Sequence, residues 1–253
     1  MNIKLIIAYD GTSYLGWQEV GDGPTIEETL RQVLEMIYQE KIVLQAASRT
    51  DKGVHAEGQV VNFFTQKEKD LKRLKRSLNQ LLPPTIQIKD ISIAPETFHP
   101  TLEAIGKEYH YHLSLGPVQS PFQRHYSWHL PAPLNIPLMK QAAASFIGTH
   151  NFAAFCNACD PYPKDTIRTL NRISLVQEGE NLRIEVEGNS FLYKMVRNLV
   201  GTLVYIGNGK LSIEEGRKLI DQKDRTLAGM TAPAHGLILN QVFYPCQIQS
   251  NSA

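Results

Sequence analysis

Two spacings of apolar residues alternate along the chain, one of period two and one near 3.6. Ile3–Tyr9 is apolar and runs straight into Asp10-Gly11, which predicts a first strand. Thr25-Ile26-Glu27-Glu28 then reads as a capping box, Thr25 and Glu28 satisfying each other's free amides. Behind it Ile26, Leu30, Val33, Leu34 and Ile37 recur at helical spacing and predict one buried face. Ile42–Ala47 reads as a strand entering a polar loop, and Gln59–Thr65 as a strand leaving it. A second helix over Asp70–Leu82 places Leu71, Leu74, Leu78 and Leu81 on one side and ends at Pro83-Pro84. Ile86, Ile88, Ile91 and Ile93 predict a further strand whose alternation breaks near Asp90, and Phe98–Gly106 connects the two halves of the chain.

The later part repeats the theme. A strand over Lys107–Leu115 precedes a proline-rich surface excursion, Pro117–Pro137. A helix over Ile136–Ile147 is capped by Asn135 and closed by Gly148. Thr166–Val176 and Leu182–Glu187 flank a turn at Glu178–Asn181 and predict a hairpin. A long helix over Phe191–Tyr205, a short one opened by the box Ser212-Ile213-Glu214-Glu215, and a last strand Leu237–Phe243 complete the pattern. Strand pairs linked by helices without strict βαβ order argue for an α+β fold. The expected architecture is two α/β halves, 1–105 and 106–245, with a tail at 246–253. They share a largely antiparallel sheet with helices packed on it and an active-site cleft between them.

Composition narrows the class without naming a function. The chain has 253 residues, 42% hydrophobic and 20% charged, which suits a globular protein rather than a disordered one. No apolar run reaches the roughly 18 residues needed to span a bilayer. The N-terminal apolar stretch lacks the length and cleavage site of a signal peptide, so a cytoplasmic protein without a membrane partner is expected. Cys156, Cys159 and Cys246 suit a reducing compartment, and the lone C-x-x-C has no second ligand pair to complete a zinc site. Net charge is +1, which gives no sign of a polyanion partner. Lys67, Lys69, Lys72, Arg73, Lys75 and Arg76 do crowd one segment, as a solvated helix face or as an RNA-backbone contact.

Candidate chemistry concentrates in Ser48-Arg49-Thr50-Asp51-Lys52-Gly53-Val54-His55-Ala56. Gly53 permits a positive-φ turn that would present Asp51 at a tip, although an Asx-turn would use the same residues structurally. On the long helix, Leu192, Met195, Val196, Leu199, Val200 and Leu203 form the core face. Lys194, Arg197 and Gly201 share the opposite side, as a functional stripe or a solvated one. In Lys107–His112, Tyr109 and Tyr111 face one way, as core or as a stacking surface for a base. Glu108, His110 and His112 face the other way, and no third ligand turns the two histidines into a metal site.

Six segments in order carry a resemblance over nearly the whole chain: Asp10–Gln18, Arg49–Ala56, Lys107–Tyr111, Gly148–Phe152, Gly188–Gly201 and Ala232–Leu239. The sequence resembles the tRNA pseudouridine synthase A family. The resemblance implies an isomerase that turns uridine into pseudouridine at tRNA positions 38 to 40, just 3′ of the anticodon. It also implies a homodimer, the tRNA anticodon arm as partner, and no metal or organic cofactor. By the same likeness Asp51 matches the catalytic aspartate and Arg49 an arginine that handles the flipped nucleotide. Tyr109 matches the tyrosine packed on the target base, and Arg197 the cation paired with the carboxylate. Lys52 and Asn151 depart from the family's usual small residue and aspartate, and Phe98-His99-Pro100-Thr101 lacks its usual arginine. The isomerisation involves no redox change, consistent with a chain that has no dinucleotide fingerprint and no ligand-spaced metal cluster. A non-catalytic tRNA-binding or tRNA-folding protein on the same scaffold is the alternative, and it would tolerate loss of Asp51.

Overall fold

Ile3, Leu5 and Ile7 are fully buried along one face of the first strand, as alternation requires. The computed structural model describes residues 1–18, 23–159 and 163–245, so the expected tail 246–253, with Cys246, lies outside the described residues. Its strands are β1 (Asn2–Tyr9), β2 (Gln45–Ala46), β3 (His55–Phe64), β4 (Ile86–Ala94), β5 (Gly106–Ser114), β6 (Trp128–His129), β7 (Gly148–Asn151), β8 (Ile167–Glu178), β9 (Asn181–Gly188) and β10 (Leu237–Phe243). Its helices are α1 (Ile26–Tyr38), α2 (Leu71–Leu81), α3 (Ile136–Ala144), α4 (Met195–Gly207) and α5 (Ile213–Gln222).

The strands form one sheet in the order β4-β1-β3-β10-β5-β9-β8-β7, with β2 added on β3 and β6 on β5. Only β10 with β3 and β5 with β6 pair in parallel; the other pairings are antiparallel. The α+β class with a largely antiparallel sheet is therefore the observed one. β10 is the junction, bonded to β3 on one side and β5 on the other.

Local chemistry explains most elements. The break expected near Asp90 is a register shift in which Ile6 and Ile7 face Asp90 and Ile88, leaving Lys89 as the extra residue of a bulge. Ile26, Leu30, Leu34 and Tyr38 bury the inner face of α1, the three aliphatic ones each worth about 1.5–3 kcal/mol of apolar transfer. Thr25 caps that helix by accepting from the Glu28 amide at 3.2 Å, but the Glu28 carboxylate accepts from Gln32 instead of completing the box. The box at Ser212 and Glu215 is complete in both directions.

Several expected boundaries move, and the strand expected at Gln59–Thr65 begins at His55. Only Gln45–Ala46 of the expected strand Ile42–Ala47 joins the ladder, because the Ile42 amide bonds the Glu35 carboxylate. The excursion after β5 is not wholly irregular, since Trp128–His129 adds to the sheet. α3 ends at Ala144, and Gly148 with φ +112° turns the chain into β7. α4 begins at Met195 rather than Phe191, because Lys194 adopts φ 58° and breaks the helical path. Among the described residues no helix is long and apolar enough to cross a membrane.

Candidate active site

The Asp51 loop is held from several directions before any substrate is considered. Gly16 forms an isolated antiparallel bridge with Asp51, and the Trp17 amide bonds the Thr50 carbonyl at 3.0 Å. Gly16 has φ +112°, and a Cβ there would sit 2.8 Å from the Thr50 carbonyl oxygen, so the close approach needs glycine. Beyond the tip, Val54 donates to the Asp51 carbonyl at 3.1 Å while Gly53 takes φ +76°, the turn foreseen for that glycine. The Thr50 hydroxyl is bonded to Tyr9 at 2.7 Å in the interior. Burial pushes the Tyr9 phenol up, so it stays protonated and neutral there.

His55 secures the exit of the loop. Its Nδ1 lies 3.0 Å from the Gly11 amide, which donates to it, and 3.1 Å from the Asp10 carboxylate. Nε2 lies 3.0 Å from the His125 carbonyl and 3.2 Å from that of His235, tying the loop to two distant segments.

The Asp51 carboxylate meets Arg197 of α4, whose Nη1 lies 2.8 Å from Oδ2. The two side chains are 20% and 13% exposed, so water screens the pair only in part. Arg197 is itself fixed: its Nε donates to the Ala232 carbonyl at 2.7 Å, and the Ala232 amide donates back to the Arg197 carbonyl at 3.1 Å. The segment 229–232 runs so close to α4 that Gly201 has no space for a side chain. The side of α4 carrying Arg197 and Gly201 is therefore no solvated stripe: Gly201 lies against that segment, and Arg197 turns onto Asp51, while Lys194 precedes the helix.

The two tyrosines of β5 share a face but not a fate. Tyr111 is fully buried and donates to the Pro233 carbonyl at 2.8 Å. Tyr109 lies at a cavity wall, its hydroxyl 2.7 Å from that of Ser48 and its ring edge-to-face with Phe191 at 5.1 Å. Burial pushes its phenol up to about 12, partly relieved by Ser48, while the nearby Asp51 charge raises it further. The cavity encloses about 500 Å³ and is lined from both ends of the chain, by Ser48–Asp51 on one side and by Tyr109, Phe191 and Leu192 on the other. Arg49 lies on its rim, exposed, with no side-chain bond among the described residues.

Of the four residues singled out by sequence, Asp51 and Tyr109 thus line one cavity, Arg49 edges it, and Arg197 stands behind Asp51. Ser48, Phe191 and Lys107 also line it, and local spacing gave none of them a role. On the opposite sheet face, His110 bonds Glu108 at 2.7 Å, and Arg172 bridges Glu108 and Glu185. No group of three or more His, Cys, Asp or Glu side chains suited to a metal occurs among the described residues.

Residues 5–101 and 142–245 match the family described as tRNA pseudouridine synthase. The chain is 52% identical over 246 residues to tRNA pseudouridine synthase A 2 of Protochlamydia amoebophila (strain UWE25), covering 96% of this chain and 94% of that one. It is 42% identical over 245 residues to tRNA pseudouridine synthase A of Geobacter sp. (strain M21), covering 96% and 99% respectively. Arg49, Asp51 and Arg197 fall inside the matched segments, while Tyr109 falls between them. With the match spanning both sides of the cavity, the chain belongs to the tRNA pseudouridine synthase family.

Proposed function

We propose that the cavity at Asp51 is where this isomerase converts a tRNA uridine to pseudouridine, with Asp51 as the reacting carboxylate. The observation that carries the reading is the 2.8 Å pair of Asp51 with Arg197 beside a cavity walled by Tyr109. A fixed guanidinium at 2.8 Å offsets the carboxylate's loss of water and keeps it aimed. Arg197 engages Oδ2 and leaves Oδ1 for the substrate. A carboxylate oxygen in that position can attack C1′ or remove the C2′ proton, and either act frees the ring from C1′.

Arrangement around the carboxylate fits the remaining steps. The volume of about 500 Å³ lies in the range of small-ligand sites and holds one nucleoside rather than a duplex. The target uridine must therefore leave its stack, at a cost of a few kcal/mol recovered in the pocket. Arg49, exposed at the rim, supplies a cation for the extruded nucleotide, and the Tyr109 ring provides a wall against which the detached uracil turns. The same reading takes the anticodon arm as substrate, its uridines 3′ of the anticodon as targets, and a cytoplasmic homodimer as the working form. It also takes the chain as two halves divided near residue 105, supported by a cavity walled from both.

The deciding experiment is Asp51→Asn, which keeps the size of the side chain. The variant is expected to fold and bind tRNA but to form no pseudouridine when the modification is mapped chemically in tRNA. Wild-type levels of pseudouridine would overturn Asp51 as the reacting carboxylate and this cavity as the site.

A further inference from the structure

Lys107 is two residues before Tyr109 on β5, on the same face, and lines the same cavity. Its backbone lies between Gly188 of β9 and Val242 of β10, so the position is interior to the sheet. The side chain makes no hydrogen bond or ion pair among the described residues. The other ionisable groups on the cavity wall are Glu27, Arg49, Asp51, His99, Tyr109, Tyr193 and Lys194. The carboxylate beside Tyr109, Asp51, is committed to Arg197. An ammonium drawn away from water without an anion beside it is costly, and such a group is kept where a ligand brings the missing charge.

We propose that Lys107 is a catalytic residue whose ammonium hydrogen-bonds a carbonyl oxygen of the uracil ring and holds the ring's negative charge while it is detached from the ribose. The inference rests on the reading of this cavity as the site of isomerisation. When N1–C1′ breaks, its electron pair goes to N1 and spreads over O2 and O4. The ring stays anionic until C5 bonds to C1′; C5 then loses its proton and N1 gains one, so product and substrate have the same atoms. A donor on the cavity wall that meets this charge is favoured in the transition state over the neutral ground state. Desolvation alone pulls the Lys107 ammonium down to about 8, so at neutral pH it is still mostly protonated and able to donate.

The test measures single-turnover kcat, tRNA Kd and their pH dependence for the full-length protein and three variants. Lys107→Met is expected to lower kcat by about 10²-fold, the usual effect of removing one such donor, with Kd within about twofold. Lys107→Arg is expected to recover part of that rate and to move the alkaline limb of the pH profile, expected near pH 8 in the unmodified protein, to higher pH, because guanidinium stays protonated. If Lys107 instead serves a backbone phosphate, Kd rises, the salt slope falls by about one, and kcat at saturation is unchanged. That result overturns the proposal, as does a Lys107→Met enzyme of wild-type kcat. Should Lys107→Met fail to give the wild-type circular dichroism spectrum, the pH profile of Lys107→Arg decides alone, an unmoved alkaline limb being the refutation. Asp51→Asn separates the two levels: an active Asp51→Asn refutes the site itself, whereas an inactive Asp51→Asn beside a fully active Lys107→Met refutes only Lys107.

Discussion

A Cβ at Gly201 would lie 1.7 Å from the Met230 carbonyl oxygen, so the segment 229–232 and α4 approach as closely as backbone allows. Two residues along, Ala232 holds the Arg197 guanidinium. Gly201→Ala is expected to push this segment off the helix, costing about 1–3 kcal/mol as overpacking does. It is also expected to depress kcat more than KM, because the arginine loses its carbonyl anchor. Thermal denaturation and initial rates check both, and unchanged rates would show that Arg197 keeps its place without Ala232. Arg197→Met is expected to lower kcat on the order of 10²-fold or more while tRNA Kd changes little, measured by single turnover and filter binding. Neither effect is legible in local sequence. Periodicity put Lys194, Arg197 and Gly201 on one side of a helix; Arg197 and Gly201 are in α4, whereas Lys194 lies before it. What covers that side comes from about thirty residues downstream, and spacing along one helix carries no information about it.

At the scale of elements, caps and turns were the readable part. Thr25, Asp70, Asn135 and Ser212 each accept an amide bond at the start of the helix they announce. Removing the complete box with Ser212→Ala is expected to cost about 1 kcal/mol, visible as a lower urea midpoint at unchanged slope. The unreadable part was conformation set by a single residue out of place. Lys194 at φ 58° delays α4 by one turn and makes 191–194 a loop at the cavity instead of a first helical turn. Nothing in a run of good helix formers signals that.

The basic segment near α2 also resolves. Lys67 donates to the Tyr38 carbonyl, Lys69 lies over the Tyr38 ring and Lys75 donates to the Lys89 carbonyl, whereas Lys72, Arg73 and Arg76 are exposed. Reversing the charge of those exposed three is expected to weaken tRNA binding and flatten its salt dependence if α2 touches the RNA backbone. An unchanged slope in a binding titration would mark it as a solvated face.

Over the whole molecule, the face of the sheet opposite the cavity carries a polar network whose response to acid can be worked out. Burial first, then His110, Arg183 and His55, pull His112 down from 6.5 to about 4. The unfolded chain therefore takes up a proton at His112 before the native one does, so stability is lost as pH falls from about 6.5 towards 4. The contribution lost between pH 7 and pH 5 is at most about 2 kcal/mol, since His112 retains some contact with solvent. His112→Leu is expected to flatten that part of the curve when urea midpoints are compared across the two pH values. A parallel fall in wild type and variant would mean that the ring titrates normally.

β10 lies between β3 and β5, and these two strands do not pair with each other. Ribosomes deliver the chain from its N-terminus, so the Asp51 loop is made long before the strand that joins its sheet to the Tyr109 strand. Arg197, which pairs with Asp51, and Ala232, which holds Arg197, also come off late. Nascent chains can form the β1, β2, β3 and β4 layer early, but the His55–Ala56 part of its β3 edge, beyond the part β2 covers, stays open until residues 237–243 have emerged. Such an edge is a template for wrong pairing. The same order of synthesis means that a ribosome stalled before this strand releases a polypeptide without a finished pocket, so with the pocket as the proposed site a prematurely ended product is expected to form no pseudouridine.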